Sequence, residues 1–255
     1  HGRLEVCDCP GPMAGGLMRR GGLVRSYRRA FPRTFLIDTG DLFWVDADSP
    51  VNPFVLRGYR MIGYDAVVLG DLEWNALADG LPGMLRSVGG TYLSTNASAE
   101  GKPMPLTREV TGRFGGGKLA ILSYLGPGTL TLIDGASGRR METRPLPTVL
   151  ARARKLKADG HAVVLVAHVS EMEAAGLENL GGVDLVVRGN VTRASGAVDR
   201  VAGVPAVKVG GPDHVGALAL DLDGGRIADL DWRLEVVTDR WPADQRLYEL
   251  FREYR

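Results

Sequence analysis

Four side chains able to bind a metal ion stand directly after apolar runs of the sequence: Asp41, Asp71, His168 and Asn190. In open α/β sheets, ligands bind beyond the carboxyl ends of the strands. Two carboxylates, an imidazole and an amide suit one divalent cation, namely Mg²⁺ or Mn²⁺ through oxygen and Zn²⁺ or Fe²⁺ through the imidazole. Any one of these residues could instead cap a turn or a helix. Because four successive apolar runs are each followed by a residue able to bind a metal ion, we favour a cation site over four unrelated caps.

The only two cysteines, Cys7 and Cys9, flank one aspartate near the start of the sequence. Their thiolates could ligate a soft metal beside His1 or His168, form a strained disulfide, act as a redox pair, or have no chemical role. A disulfide-rich scaffold is excluded because it would need more cysteines. No C-x-x-C-H motif occurs, and we therefore expect no haem on this chain.

Alternating apolar runs and amphipathic segments must position these residues. Continuous apolar runs predict strands covered on both faces at residues 35–37, 66–69, 118–122, 162–166 and 183–187. Segments with helical periodicity predict helices at residues 16–30, 52–61, 148–159 and 244–255. This alternation favours a layered α/β fold in a single domain.

Composition excludes several classes of function. The 255 residues carry 31 Lys and Arg against 30 Asp and Glu, a net charge of +1, which gives no broad electrostatic case for nucleic acid. No apolar run approaches the ~18 residues of a membrane span. Arginines crowd the segment 16–30, which we interpret either as a solvated face or as a docking face for an acidic partner.

Two segments carry a family resemblance: LIDTGDLF at residues 36–43 and GYDAVVLGDLE at residues 63–73. They resemble the calcineurin-like metallophosphoesterases, in particular the 5′-nucleotidase branch with UDP-sugar hydrolases and a thiosulfohydrolase. The resemblance implies a four-layer α/β/β/α sandwich of two mixed sheets flanked by helices. It implies one catalytic-type domain over residues 1–255, lacking the family's first strand, which would precede His1, and the family's C-terminal substrate domain.

Family motifs of the form D-x-H, G-D, G-N-H-E, H and G-H-x-H hold two bridged metal ions. By resemblance, Asp41 is the bridging aspartate, and His1 stands at the histidine of D-x-H. Asp71 replaces the asparagine of G-N-H-E, and His168 is the lone histidine.

Besides Asp71, the chain departs from this pattern at three further positions. Leu72 replaces the catalytic histidine and cannot transfer a proton, so no catalytic residue is assigned. Asn190 and Thr192 replace the histidines of G-H-x-H, which leaves ligands for one good site at most. A two-metal mechanism needs both ions.

Three further residues are candidates for the cleft. Trp44 and Trp74 each follow a ligand by three residues and either wall the cleft or fill the core. His214 lies on a loop that, by resemblance, reaches toward the metals.

These departures predict a catalytically degraded 5′-nucleotidase-like domain. We expect it to be exported to the periplasm or the cell exterior as a binding or structural partner. The cysteine-rich opening resembles nucleotidase-like proteins that occur with multihaem c-type cytochromes, which makes such a cytochrome the expected partner. The alternative is a mononuclear hydrolase of phosphoesters or sulfur esters that uses Cys7 and Cys9. An active dinuclear 5′-nucleotidase is the least favoured reading.

Overall fold

A computed structural model describes residues 15–43, 49–78, 80–101, 103–114 and 116–254. His1, Cys7, Cys9 and Trp44 therefore lie outside the described residues. The helices are α1 (Leu17–Ala30), α2 (Val51–Ile62), α3 (Asp71–Asn75), α4 (Leu81–Val88), α5 (Pro127–Leu130), α6 (Gly135–Gly138), α7 (Leu146–Ala158), α8 (Glu171–Ala175) and α9 (Tyr248–Tyr254). A 3₁₀ turn (Gln245–Leu247) precedes α9.

The strands are β1 (Ile37–Asp38), β2 (Ala66–Val68), β3 (Tyr92–Leu93), β4 (Ala97–Ala99), β5 (Leu106–Thr107), β6 (Val110–Phe114), β7 (Gly117–Leu125), β8 (Met141–Thr143), β9 (His161–His168), β10 (Leu185–Gly189), β11 (Ser195–Val201), β12 (Val204–Lys208), β13 (His214–Asp223) and β14 (Arg226–Val236). The predicted helices are present within a few residues of their expected bounds. Helix α7 begins earlier than predicted, at Leu146, with a proline in its first turn, where the missing N–H is not needed.

Two sheets form the centre of the fold. The four-stranded sheet has the order β1-β2-β3-β5, and all of its pairs are parallel. The six-stranded sheet has the order β11-β12-β10-β9-β7-β6. Its inner strands are parallel, and β6 and β11 pair antiparallel at its edges. The second sheet is therefore mixed, as predicted, whereas the described part of the first is parallel throughout. Two antiparallel pairs, β13-β14 and β4-β8, complete the strands.

Alternation along the strands explains the layers. Side chains of a strand point to opposite faces in turn. In β9, Val163 and Leu165 pack in a cluster with residues of α7, whereas Val164 and Val166 pack in a cluster that includes Val68 of the other sheet. The two sheets thus face each other and helices cover their outer faces, which confirms the layered α/β prediction. No helix among the described residues combines the length and the apolar character needed to cross a bilayer.

Candidate metal centre

Three of the predicted ligands converge at one point between the two sheets. Asp41, Asp71 and His168 are all buried, and each offers a ligand atom within 4.8 Å of the others. His168 Nε2 lies 2.8 Å from Asp71 Oδ1 and 3.3 Å from Asp41 Oδ1. Two carboxylate oxygens and one imidazole nitrogen in this arrangement suit a divalent cation.

Local backbone structure brings these three side chains together. Asp41 follows β1 through a tight turn at Gly40, and Asp71 is the first residue of α3, directly beyond β2. His168 is the last residue of β9 and shares the inter-sheet face of Val164 and Val166, because alternate residues of a strand point the same way. All three therefore stand at carboxyl ends of parallel strands, as the sequence predicted.

Two glycines leave the room that the site needs. A Cβ on Gly40 would lie 2.8 Å from His168 Nδ1, and one on Gly70 would lie 2.7 Å from His168 Cε1. Gly40 also has φ +106°, a backbone conformation that side chains disfavour. The cradle around the three ligands thus depends on the absence of these two side chains.

Hydrogen bonding fixes the orientation of the imidazole. His168 Nδ1 donates to the Thr39 carbonyl oxygen at 3.2 Å, which directs Nε2 toward the carboxylates. A second partner of this kind commonly orients a metal-binding histidine.

The charges of the site are strongly coupled. Burial alone would lower the pKa of His168, but its hydrogen bonds to Asp41 and Asp71 raise that pKa to about 10. Burial alone would raise the pKa of Asp41, yet the hydrogen bond to His168 outweighs it and the pKa is lowered. These shifts favour a protonated His168 beside an ionised Asp41. A metal ion would bind in exchange for the His168 proton.

Glu73 is a residue of the site that the sequence analysis did not single out. Its Oε2 accepts hydrogen bonds from the backbone N–H groups of Gly70 at 2.8 Å and Asp41 at 3.0 Å, and its Oε1 accepts one from Phe43 at 2.8 Å. Glu73 thereby ties the loop that carries Asp41 to the loop that carries Asp71. The sequence signal was a glutamate three residues after Gly70, the residue that directly precedes the helix, which is the position of the glutamate in a capping box.

The Glu73 side chain is fully buried. Burial raises its pKa to about 8, with the Asp41 carboxylate adding to the rise and the backbone hydrogen bonds opposing it. Its oxygens are occupied by backbone donors, so Glu73 acts on the geometry of the ligands.

Leu72, at the position expected for the catalytic histidine, has an aliphatic side chain that cannot donate a proton. Leu72 is half-buried, and its side chain packs against the hydrophobic cluster around α1 to α4. Its backbone N–H points to Asp41 Oδ1 at 3.4 Å.

The remaining candidates have separate positions. Asn190, with φ +49°, comes directly after Gly189, which pairs with His168 in register, so Asn190 lies at the same sheet edge. Thr192 is exposed. His214 Nδ1 lies 2.8 Å from Asp213 Oδ1 and is not a member of the three-residue cluster.

Trp74 belongs to the core. It is fully buried within the cluster around α1 to α4, and its Nε1 has no hydrogen-bond partner among the described residues. This packing decides between the two readings that the sequence left open.

The arginines of α1 are not a uniform solvated face. Arg20 is buried and donates to Tyr59, and Arg28 forms an ion pair with Asp65 at 2.9 Å. The reading as a solvated face is therefore wrong for Arg20, because its guanidinium is part of an internal network.

In sequence, the chain is similar to mammalian 5′-nucleotidases. The sequence is 29% identical over 219 residues to mouse 5′-nucleotidase and 28% identical to the bovine protein. These matches cover 74% of this chain but 36% of each relative, so the chain spans about a third of their length. No protein-family model matches the chain.

Solved structures agree with the sequence matches. The sulfate thiohydrolase SoxB of Thermus thermophilus superposes with a TM-score of 0.84 and 21% identity, over 94% of this chain and 46% of that one. A 5′-nucleotidase precursor from the same species gives 0.79 and 18%, over 100% of this chain and 56% of that one.

The fold is that of the 5′-nucleotidases and calcineurin-like phosphoesterases on which the chain superposes. Within that class, the sequence and structure resemble 5′-nucleotidases. The calcineurin-like phosphoesterase YfkN of Bacillus subtilis superposes with a TM-score of 0.73 and 17% identity, over 94% of this chain and 88% of that one. The resemblance seen in the sequence is confirmed.

Proposed function

We propose that this chain is a cation-binding domain of the 5′-nucleotidase type that does not turn over phosphoesters at enzymatic rates. Asp41, Asp71 and His168 would hold one divalent cation. The single observation that carries the proposal is the convergence of these three buried side chains beside a leucine at the position of the family's proton donor.

The chemistry of the described residues supports this assignment. When bound, the cation would act as a Lewis acid toward an oxygen ligand. Asp41 and Asp71 would neutralise its charge, and His168 would be held in place by the Thr39 carbonyl. Dinuclear hydrolysis requires a second ion about 3.5–4 Å away and a group that protonates the product alcohol. Leu72 supplies no such proton, and Asn190 and Thr192 are weaker ligands than imidazole.

Cation binding can be tested by titrating the protein with Mn²⁺ in a calorimeter, followed by metal analysis. We expect one ion per chain, lost in Asp41→Asn and in His168→Ala. Asp213→Asn is the matched control, because Asp213 pairs with His214 outside the cluster. Equal Mn²⁺ binding in all variants would contradict the site.

A second candidate function is mononuclear hydrolysis. The intact cradle and ligand set around His168 favour it, because one cation can polarise a phosphoryl or sulfuryl oxygen. Turnover assays in the presence of Mn²⁺ distinguish this function from cation binding alone. The substrates are bis-p-nitrophenyl phosphate, nucleotides and thiosulfate esters. Turnover above about 1 s⁻¹, in the ordinary enzymatic range, would replace our proposal with this one. Loss of that turnover in Cys9→Ser would assign the cysteines a role.

We also propose that the protein is exported and that it associates with a multihaem c-type cytochrome. Both proposals rest on the resemblance of the cysteine-rich opening alone. Fractionation of the native host and co-purification of haem-stained protein test them. Recovery of the protein in the cytoplasm without a haem protein would contradict them.

A further inference from the structure

The ligand Asp41 has an unusual backbone conformation. Its φ is +59°, in the left-handed region that residues other than glycine seldom adopt, and it follows Gly40 at φ +106°. Such conformations persist when surrounding contacts determine them, and they cluster at functional sites. The contacts that hold this turn therefore decide where the Asp41 carboxylate points.

A second buried carboxylate, that of Asp38, is hydrogen-bonded to the same turn. Asp38 Oδ1 accepts a hydrogen bond from the backbone N–H of Gly40 at 2.9 Å. Its other oxygen, Oδ2, accepts one from the hydroxyl of Tyr59 at 2.9 Å. Asp38 is 8% exposed and Tyr59 is 1% exposed, so solvent does not readily replace either bond.

The hydroxyl of Tyr59 is itself held by a cation. Arg20 Nη1 donates to the Tyr59 oxygen at 2.9 Å, and Arg20 Nη2 donates to the Pro212 carbonyl at 2.7 Å. The phenol thus accepts from a guanidinium and donates to a carboxylate. The buried phenol therefore links a cation to a carboxylate through charge-assisted hydrogen bonds, which are stronger than bonds between neutral groups.

Protonation of the phenol is secured by its surroundings. Burial raises the pKa of Tyr59 well above its ordinary value, and the negative charge of Asp38 raises it further. Tyr59 therefore remains a donor to Asp38 throughout the neutral range.

We propose that Tyr59 is a positioning residue of the cation site, because its hydroxyl joins Arg20 to Asp38 and so fixes the Gly40–Asp41 turn. This inference rests on the proposed cation site for its functional meaning. Its structural part, the bracing of the turn, does not depend on a cation.

Tyr64 provides a matched control. Its ring stacks on that of Tyr59, with centroids 4.1 Å apart and an interplanar angle of 13°. Its hydroxyl lies 3.5 Å from Arg20 Nη1, whereas the bond to Asp38 Oδ2 comes from Tyr59. Removal of either hydroxyl takes one polar group from the same ring pair, but only Tyr59→Phe breaks the link to Asp38.

The experiment compares Tyr59→Phe with Tyr64→Phe by Mn²⁺ titration and by amide hydrogen exchange of Gly40 and Asp41. We expect Tyr59→Phe to weaken Mn²⁺ binding about fivefold, just below the range for groups that contact a metal ligand directly, and to speed exchange at Gly40. We expect Tyr64→Phe to change affinity less than about twofold and to leave exchange at Gly40 unchanged.

Two outcomes separate this inference from the proposed function. Absence of Mn²⁺ binding by the unmodified protein would refute the proposed function, and exchange at Gly40 would still decide whether Tyr59 braces the turn. Equal affinity and equal Gly40 exchange in the two variants would overturn the inference. If Tyr59→Phe does not fold, Asp38→Ala replaces it, because it removes the acceptor of the Gly40 N–H. Unchanged exchange at Gly40 in that variant would also overturn the inference.

Discussion

Replacement of Glu73 by glutamine tests whether the two ligand loops are held together as the structure indicates. The carboxylate accepts three backbone hydrogen bonds, from Gly70, Asp41 and Phe43. Glutamine keeps nearly the same shape but offers one acceptor oxygen and an NH₂ group. Burial and the Asp41 carboxylate raise the pKa of Glu73, whereas the backbone N–H donors favour its ionised form, in which both oxygens accept. The change therefore removes acceptor capacity from a site lined by backbone donors.

The magnitude follows from the two ways in which the amide can be placed. With its oxygen at the position of Oε2, glutamine retains the bonds from Gly70 and Asp41 but faces the N–H of Phe43 with another donor. The reverse placement loses two bonds. The better placement leaves one buried N–H unpaired, which costs about 1–3 kcal/mol of unfolding free energy. Loosening of the Asp41 loop should weaken Mn²⁺ binding about tenfold, at the lower end for groups that orient metal ligands.

Glu173→Gln is the matched control for this change. Glu173 also occupies the third position of a helix that follows a strand, and it accepts from the backbone and hydroxyl of Ser170, each at 2.9 Å, and from Gly128. It does not contact Asp41 or Asp71. Urea unfolding and Mn²⁺ calorimetry on both variants give the comparison.

We expect both glutamine variants to lose stability and only Glu73→Gln to lose affinity for Mn²⁺. An affinity equal to that of the unmodified protein in Glu73→Gln would refute the positioning role. So would an equal loss of affinity in Glu173→Gln.

Three further changes have defined outcomes. Leu72→His places an imidazole at the position of the missing proton donor, and hydrolysis of a nucleoside 5′-monophosphate, whose alcohol leaving group needs a proton, should rise by up to about 10²-fold, the lower end for general acid catalysis; no rise would show that the missing donor does not limit turnover. Asp244→Asn should cost about 1–2 kcal/mol at pH 7 in thermal unfolding, because the buried carboxylate loses charged hydrogen bonds to arginines. Burial alone would raise the pKa of Asp244, but the arginines lower it in the folded state, so this stability is present above about pH 4 and the gap between variant and unmodified protein should close as pH falls below that value. Gly70→Ala should abolish Mn²⁺ binding because its methyl group would lie 2.7 Å from His168 Cε1, whereas Gly83→Ala, which meets no atom within 4 Å, should bind Mn²⁺ normally.

The convergence of ligands was predictable from the sequence because it depends on strand direction. Asp41, Asp71 and His168 each follow an apolar run, and the carboxyl ends of parallel strands lie at one edge of a sheet. The alternation in residues 162–168 also places His168 on one defined face. The pattern along single strands was sufficient for these residues.

The network behind the ligands was not predictable in the same way. Glu73 and Asp38 act by accepting backbone N–H groups, and which loop offers those groups depends on how the elements pack. Arg20 lies in a segment rich in arginine, and its composition gave no sign that this guanidinium is buried against Tyr59. Trp74 was left between two readings because a tryptophan near a ligand is compatible with both, and packing alone decided for the core.

Electron paramagnetic resonance of the Mn²⁺-loaded protein, with metal analysis of the same sample, tests the central claim most directly. We predict a mononuclear Mn²⁺ spectrum at one ion per chain, lost in Asp41→Asn, together with no enzymatic turnover of phosphoesters. An exchange-coupled pair of Mn²⁺ ions at two per chain, with turnover, would contradict the account.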